Sequence, residues 1–263
     1  MPFKSFLIVS LFLLILSGCG NDSSSTGSDY DYNASSTFKF TFPVTDQVML
    51  ALINISGSVE VTGVQNLDTI YVVGTRHVSS SVSQADAEDN LSEIQIITKN
   101  ETTHYTVESD QPQSGSQREY SVDYVIRMPA DMLLDLAQTT GTVNIESMHA
   151  TLDIANVTGY VNIADHYGSL HVAVVQGDLT VECDLPTGGS VQLNDVNGSI
   201  DLLIPTTTSA MFSANALNGT INLYDLTLDD ADVSEHAVSG RFGGGQGSIN
   251  LSSSNGNISV TGT

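Results

Sequence analysis

The chain has no tryptophan, only two cysteines and no lysine after Lys99. Its seven basic residues stand against thirty acidic ones, for a formal net charge of −23. That shortage of cations excludes nucleic acid as a ligand, because neutralising phosphates needs clustered Lys and Arg, and it argues against polyanionic glycans on the same ground. Divalent metals, cationic peptides and basic protein surfaces stay open as partners, beside the simpler role of keeping an exported protein soluble. Long hydrophobic runs are also missing. The longest, Phe6 to Leu16, falls short of the roughly 20 residues that a membrane-spanning helix needs.

That run is placed like an export signal, with Lys4 before it and small residues after it. Leu16-Ser17-Gly18-Cys19 resembles the lipobox of bacterial lipoproteins. The resemblance implies a signal peptide over residues 1–18, cleavage before Cys19, a diacylglyceryl thioether on its sulfur and an acylated amine. More than one acyl chain gives stable anchoring. Gly20 does not resemble the inner-membrane retention signal of enteric bacteria, which favours the outer membrane or cell surface. Cys183 is then expected to be a lone thiol in an irregular insertion, Glu182 to Thr187. Residues 19–37 are rich in Ser, Asp, Asn and Gly without apolar periodicity, and read as a tether.

From Phe38 onward apolar and polar residues alternate with the period of a strand. Phe38, Phe40 and Phe42 begin the pattern, and Val48 to Ile55, Gly57 to Val61 and Thr69 to Val73 continue it. Ser83 to Ser92 is the exception and predicts one short helix capped by Ser83. Ile94 to Thr98 and Thr103 to Glu108 flank a turn and predict a β-hairpin.

Repeats follow. GTVNI at 141, ATLDI at 150, GYVNI at 159, GSLHV at 168 and GDLTV at 177 start nine residues apart, and GSVQL at 189 and GSIDL at 198 continue at wider spacing. A short fixed period marks a solenoid, whose units bury their apolar residues by stacking on one another. The expected fold is all-β: a single-stranded β-solenoid of short Gly-x-φ-x-φ repeats over residues 38–263. Nine residues are too few for a full coil, so two units make one coil and lie on different faces. The middle residue of each apolar-polar-apolar triplet points outward. One outward column then holds Asn144, Asn162 and Thr180, the other Asp153, His171 and Gln192. These are the candidate ligand-facing residues, beside the simpler expectation of polar ladders that stiffen and solubilise the sheet.

Catalytic chemistry finds little support. A lyase of acidic sugars needs a base and cations for the developing charge, and Arg241 is the only base within the repeats. A glycosidase needs two carboxyl groups facing one cleft, whereas Asp153 and Asp201 fall in different columns. Ser169, His171 and Asp153 lack a nucleophile-elbow motif. Asp225, Asp229, Asp230 and Asp232 crowd an acidic insertion at 225–235 and are weak candidates for a hard cation. The segment lacks the glycine and glutamate of a calcium loop, so a solvated loop is expected and no metal or other cofactor is assigned. The histidines, including His149, His166 and His171, have no zinc-ligand spacing and are expected at surfaces or turns.

The order YSVDYVIRMPADMLLDLAQTTGTVNI, VNGSIDLLIP, ALNGTINL, FGGGQGSINL and SSNGNISV, preceded by LINISGSVEV, resembles a bacterial family known as putative adhesins. The resemblance implies an envelope-associated β-solenoid, sometimes linked to adhesion or to envelope stress sensing, and supplies no catalytic residues. The expected role is a lipid-anchored, non-catalytic binding, adhesion or structural module that meets the membrane through Cys19 and an envelope protein or glycan elsewhere. The alternatives are an envelope stress-sensing accessory protein and a polysaccharide-cleaving β-helix enzyme.

Overall fold

The alternating pattern becomes two long sheets, one of ten strands and one of eleven, in a computed structural model that describes residues 30–263. Cys19, the expected signal peptide and most of the expected tether lie outside the described residues. The chain begins with β1 (Tyr32–Pro43), β2 (Met49–Ser56), β3 (Val59–Val64) and β4 (Thr69–Ser80), then helix α1 (Gln84–Asn90). The hairpin of β5 (Gln95–Asn100) and β6 (His104–Asp110) leads to β7 (Arg118–Pro129). The central body runs through β8 (Leu133–Thr140), β9 (Val143–Glu146), β10 (Leu152–Thr158), β11 (Val161–Tyr167), β12 (Leu170–Gln176), β13 (Leu179–Asp184), β14 (Ser190–Asn197) and β15 (Ile200–Ile204). It ends with β16 (Ala210–Ala216), β17 (Ile221–Tyr224), β18 (Asp229–Val233), β19 (Ala237–Phe242), β20 (Gly247–Asn255) and β21 (Ile258–Gly262).

In the central body successive strands alternate between the sheets. The odd strands β9, β11, β13 and β15 pair in parallel in the first sheet, and β8, β10, β12 and β14 in the second. Every second residue points inward, so Val143, Ile145, Leu152 and Ile154 are buried in one continuous core. Each coil contributes aliphatic side chains from both sheets, and neither sheet closes into a barrel.

The corner from the second sheet to the first is made of stacked glycines. Gly141 and Gly159 have φ of +135° and +144°, which an L side chain rarely adopts. Closeness of stacking is a second demand: a Cβ on Gly159 would run into the carbonyl oxygen of Gly141, and one on Gly177 into that of Gly159. Gly198, Gly256 and Gly219 continue the column, each against the carbonyl of its neighbour, without the positive φ of Gly141, Gly159 and Gly177. There the glycine serves close approach alone. Backbone hydrogen bonds run through the corner, from Gly141 N to the Thr158 carbonyl at 2.9 Å and from Gly159 N to that of Gln176 at 2.7 Å.

The coils do not stack in chain order. β20 pairs with β14 on one side and β16 on the other, and β21 lies between β15 and β17. The last coil is therefore inserted between two earlier ones. The return is made by β18 and β19, an antiparallel pair whose second strand folds back on β16. The acidic insertion, expected as a solvated loop, contains an exposed edge strand, Asp229–Val233.

At the other end the first sheet turns antiparallel through β7, β4 and β1. Ser83 caps α1 as expected, its hydroxyl accepting from Asp86 N at 3.1 Å. The guanidinium of Arg118 grips Asp86, tying the helix to β7 and holding that carboxyl down at about 2. β1 starts at Tyr32, so residues 32–37, assigned to the tether, pair with Thr75 to Ser80 instead. Their polar sequence carries no apolar signal, and the pairing rests on backbone bonds with Ala34 as the buried residue.

Gly159→Ala is expected to destabilise the protein by more than about 2 kcal/mol in urea unfolding, through strain and displacement of the stacked carbonyl. Gly115→Ala, where an added methyl meets nothing within 4 Å, should leave the midpoint unchanged.

Candidate ligand-facing surface

The two outward columns form as the repeat spacing predicts. Asn144, Asn162, Thr180 and Asp201 are register partners on the first sheet. Asp135, Asp153, His171, Gln192 and Asn250 are register partners on the second. The six candidate residues thus lie on two different sheets and do not converge on one site.

The second ladder is the more differentiated. His171 Nδ1 lies 3.0 Å from Asp153 Oδ1, with both side chains about half exposed. Burial, and then the charge of Asp153, push the Asp135 carboxyl upward. Two residues further along these strands Ala137 stands opposite Ala155, and Ala173 opposite the larger Asn194. The ladder of acid, imidazole and amide groups therefore runs beside three alanines, with Asp153 and His171 about half exposed.

Ser169 Oγ accepts from the backbone N of Ser190 at 3.2 Å, at a corner of the coil. Arg241, the one base in the repeats, is paired with Asp230 at 3.2 Å. A pocket of about 100 Å³ lies elsewhere, lined by Asp165, Glu182, Cys183, Leu203 and Pro205 among others. It is below the roughly 300 Å³ at which small-molecule sites begin. Among the described residues no three His, Cys, Asp or Glu side chains gather to hold a metal ion. Asp229, Asp230 and Asp232 are strung along β18, and Asp225 precedes it.

Two expectations are corrected. Cys183 sits in a regular strand, not an irregular insertion, and is buried; desolvation, with Asp184 and Glu182 nearby, pushes its thiol up to about 12, so it stays protonated and inert. His166 is buried, not superficial. Asp165, with φ of +49°, breaks the alternation of β11 and turns the imidazole inward, where Nδ1 lies 2.9 Å from the Met148 carbonyl. Burial lowers its pKa.

Sequence reading misses a row of buried polar side chains beside the glycine corner. Asn54 and Gln138 are register partners, as are Asp195 and Ser253. Gln138 Nε2 donates to the Gly57 carbonyl at 2.8 Å and Ser253 Oγ to that of Gly198 at 3.3 Å, so these side chains satisfy carbonyls at the turns. Asp195 accepts from Asn197 N at 3.0 Å. Burial pushes its carboxyl up to about 6, against the opposing pull of backbone N–H groups.

The fold is all-β, two long sheets that do not close into a barrel, with a row of polar side chains on an outer face. The chain belongs to the Toastrack DUF4097 family, whose model matches residues 49–261. It is similar to a structure of a putative cell adhesion protein from Clostridium sporogenes at 16% identity, covering 87% of this chain and 100% of that one with a TM-score of 0.48. A putative adhesin from Bacteroides fragilis is similar at 11% identity over 87% of this chain and 97% of that one, with a TM-score of 0.42. No curated protein matches the chain.

Asp195 sets a pH dependence. Its folded-state pKa of about 6 exceeds the ordinary carboxyl value of 3.8, so the folded state binds the proton more tightly. Its contribution to stability is fully present below about pH 4 and is lost as pH rises through about 6. Asp195→Asn should flatten that decline and raise the melting temperature at pH 7, with a gain of at most about 3 kcal/mol. Thermal melts of both proteins at pH 4 and pH 7 measure the difference.

Proposed function

We propose that the protein is a lipid-anchored module of the bacterial envelope that binds an envelope protein or a glycan and catalyses no reaction. The observation that carries this reading is the ladder Asp135–Asp153–His171–Gln192–Asn250, an open row of hydrogen-bonding groups beside alanines on an extended sheet. The fold needs only the inward residues of these strands, which leaves the outward row free for recognition. Leu16-Ser17-Gly18-Cys19 supplies the anchor and Gly20 favours the outer membrane or cell surface. No helix among the described residues is long and apolar enough to cross a membrane.

Cys19→Ser should abolish metabolic labelling by a fatty acid and release the protein from the membrane fraction; a persistent label would reject the anchor. Ala173→Arg raises a bulky cation beside the ladder and should reduce retention on envelope glycans, or capture of the cognate envelope protein, about tenfold. Asn162→Arg, on the first sheet, should leave both unchanged. New reducing ends or unsaturated sugars released from the glycans would overturn the non-catalytic reading.

A further inference from the structure

The outer face of the first sheet changes character where it turns antiparallel. Lys39 lies opposite Val73 and Val73 opposite Val125; one step along, Tyr71 lies opposite Arg127. Tyr71, Val73 and Val125 are exposed by 44%, 37% and 48%. Lys39 and Arg127 make no ion pair among the described residues, whereas Lys99, Arg118 and Arg241 are held by Glu108, Asp86 and Asp230. The patch ends at β3 and β9, where Glu60 stands opposite Val125 and Glu146 lies beyond Thr62. A contiguous apolar surface flanked by two uncommitted cations is notable in a chain of net charge −23.

We infer that this face rests on an anionic phospholipid surface, with Tyr71 and the two valines at headgroup level and Lys39 and Arg127 against lipid phosphates. The inference rests on the lipid anchor proposed above. Twelve residues separate Cys19 from Tyr32, a segment that spans at most about 45 Å when fully extended. Lys39 is seven residues along β1 from Tyr32, roughly 24 Å at strand rise. The anchor can therefore sit in the bilayer while the face lies on it. Two cations alone hold a membrane weakly, but tethering makes the contact intramolecular and supplies a high effective concentration. The acidic edge strand Asp229–Val233 closes the far end of the other sheet, well beyond the Debye length of about 8 Å at physiological salt, so its repulsion is screened at the patch. In this orientation the Asp153–His171–Gln192 ladder faces away from the bilayer.

Absence of tryptophan gives a clean probe. Full-length lipidated protein carrying Tyr71→Trp, and separately Met211→Trp on the outer face of the second sheet, is reconstituted into vesicles of dibrominated phosphatidylglycerol. Quenching of the Tyr71→Trp protein is expected to exceed that of the Met211→Trp protein at least threefold, and to fall to the latter's level on adding Lys39→Glu and Arg127→Glu. Val125→Trp is a second reporter in the patch should the first substitution disturb folding. Equal quenching at both faces, with the protein still on the vesicles, would overturn this orientation and leave the anchor standing. Loss of the unaltered protein from the vesicles would overturn both. Concentration-dependent shielding of the patch reporter without vesicles would assign the face to a second copy of the chain and overturn the lipid assignment.

Discussion

Close stacking of glycines at one corner is the constraint on which the rest of the structure depends. Stacked strands are about 4.8 Å apart, and the chain must reverse at the corner within the same spacing. Only a residue without a Cβ lets the carbonyl of Gly141 sit against Cα of Gly159, and that of Gly159 against Gly177. Once the corner is fixed, strand register is fixed with it, because the residues after each glycine fall opposite one another in both directions along the stack. Register in turn places Val, Ile and Leu inward on both sheets and leaves the intervening polar residues outward. Outer-face chemistry can then vary from coil to coil at little cost to the core.

This explains which features were legible in the sequence. The columns Asn144–Asn162–Thr180 and Asp153–His171–Gln192 follow from two units per coil and the period of a strand, both of which are local properties. The capped helix at Gln84–Asn90 and the hairpin of Gln95–Asn100 with His104–Asp110 are local as well. Stacking order was not legible. GSIDL at 198, GTINL at 219 and GNISV at 256 present the same pattern, so any two such coils offer each other the same interface. The choice is made by the connection, where the hairpin ending in Ala237–Phe242 packs along Ala210–Ala216 and delivers the chain to a position between earlier coils.

The remaining surprises share a cause: polar residues whose role is set by neighbours distant in sequence. Residues 32–37 look like tether because no apolar period marks them, yet they find backbone partners in Thr75 to Ser80. His166 looks superficial until the left-handed residue Asp165 before it reverses the alternation. Gln138 and Ser253 fall in phase with the inward residues of their strands but carry no apolar signal, and their partners are the carbonyls of Gly57 and Gly198. In each case the deciding atom is a backbone group, which side-chain periodicity does not record.

The same separation of local and distant determinants bears on function. The inward residues and corner glycines are committed to the fold, and a buried carboxyl such as Asp195 reports the cost of placing charge at the corner. What remains free is the pair of outer faces, and they are unlike. One carries acid, imidazole and amide groups beside alanines. At its antiparallel end the other carries Tyr71, Val73 and Val125 with Lys39 and Arg127. A solenoid that served only as a rigid spacer would need solvation on both faces and nothing more. Under the reading proposed above, the apolar patch with its cations on one side and the hydrogen-bonding ladder on the other divide the labour of a module that both lies against a surface and recognises something facing away from it.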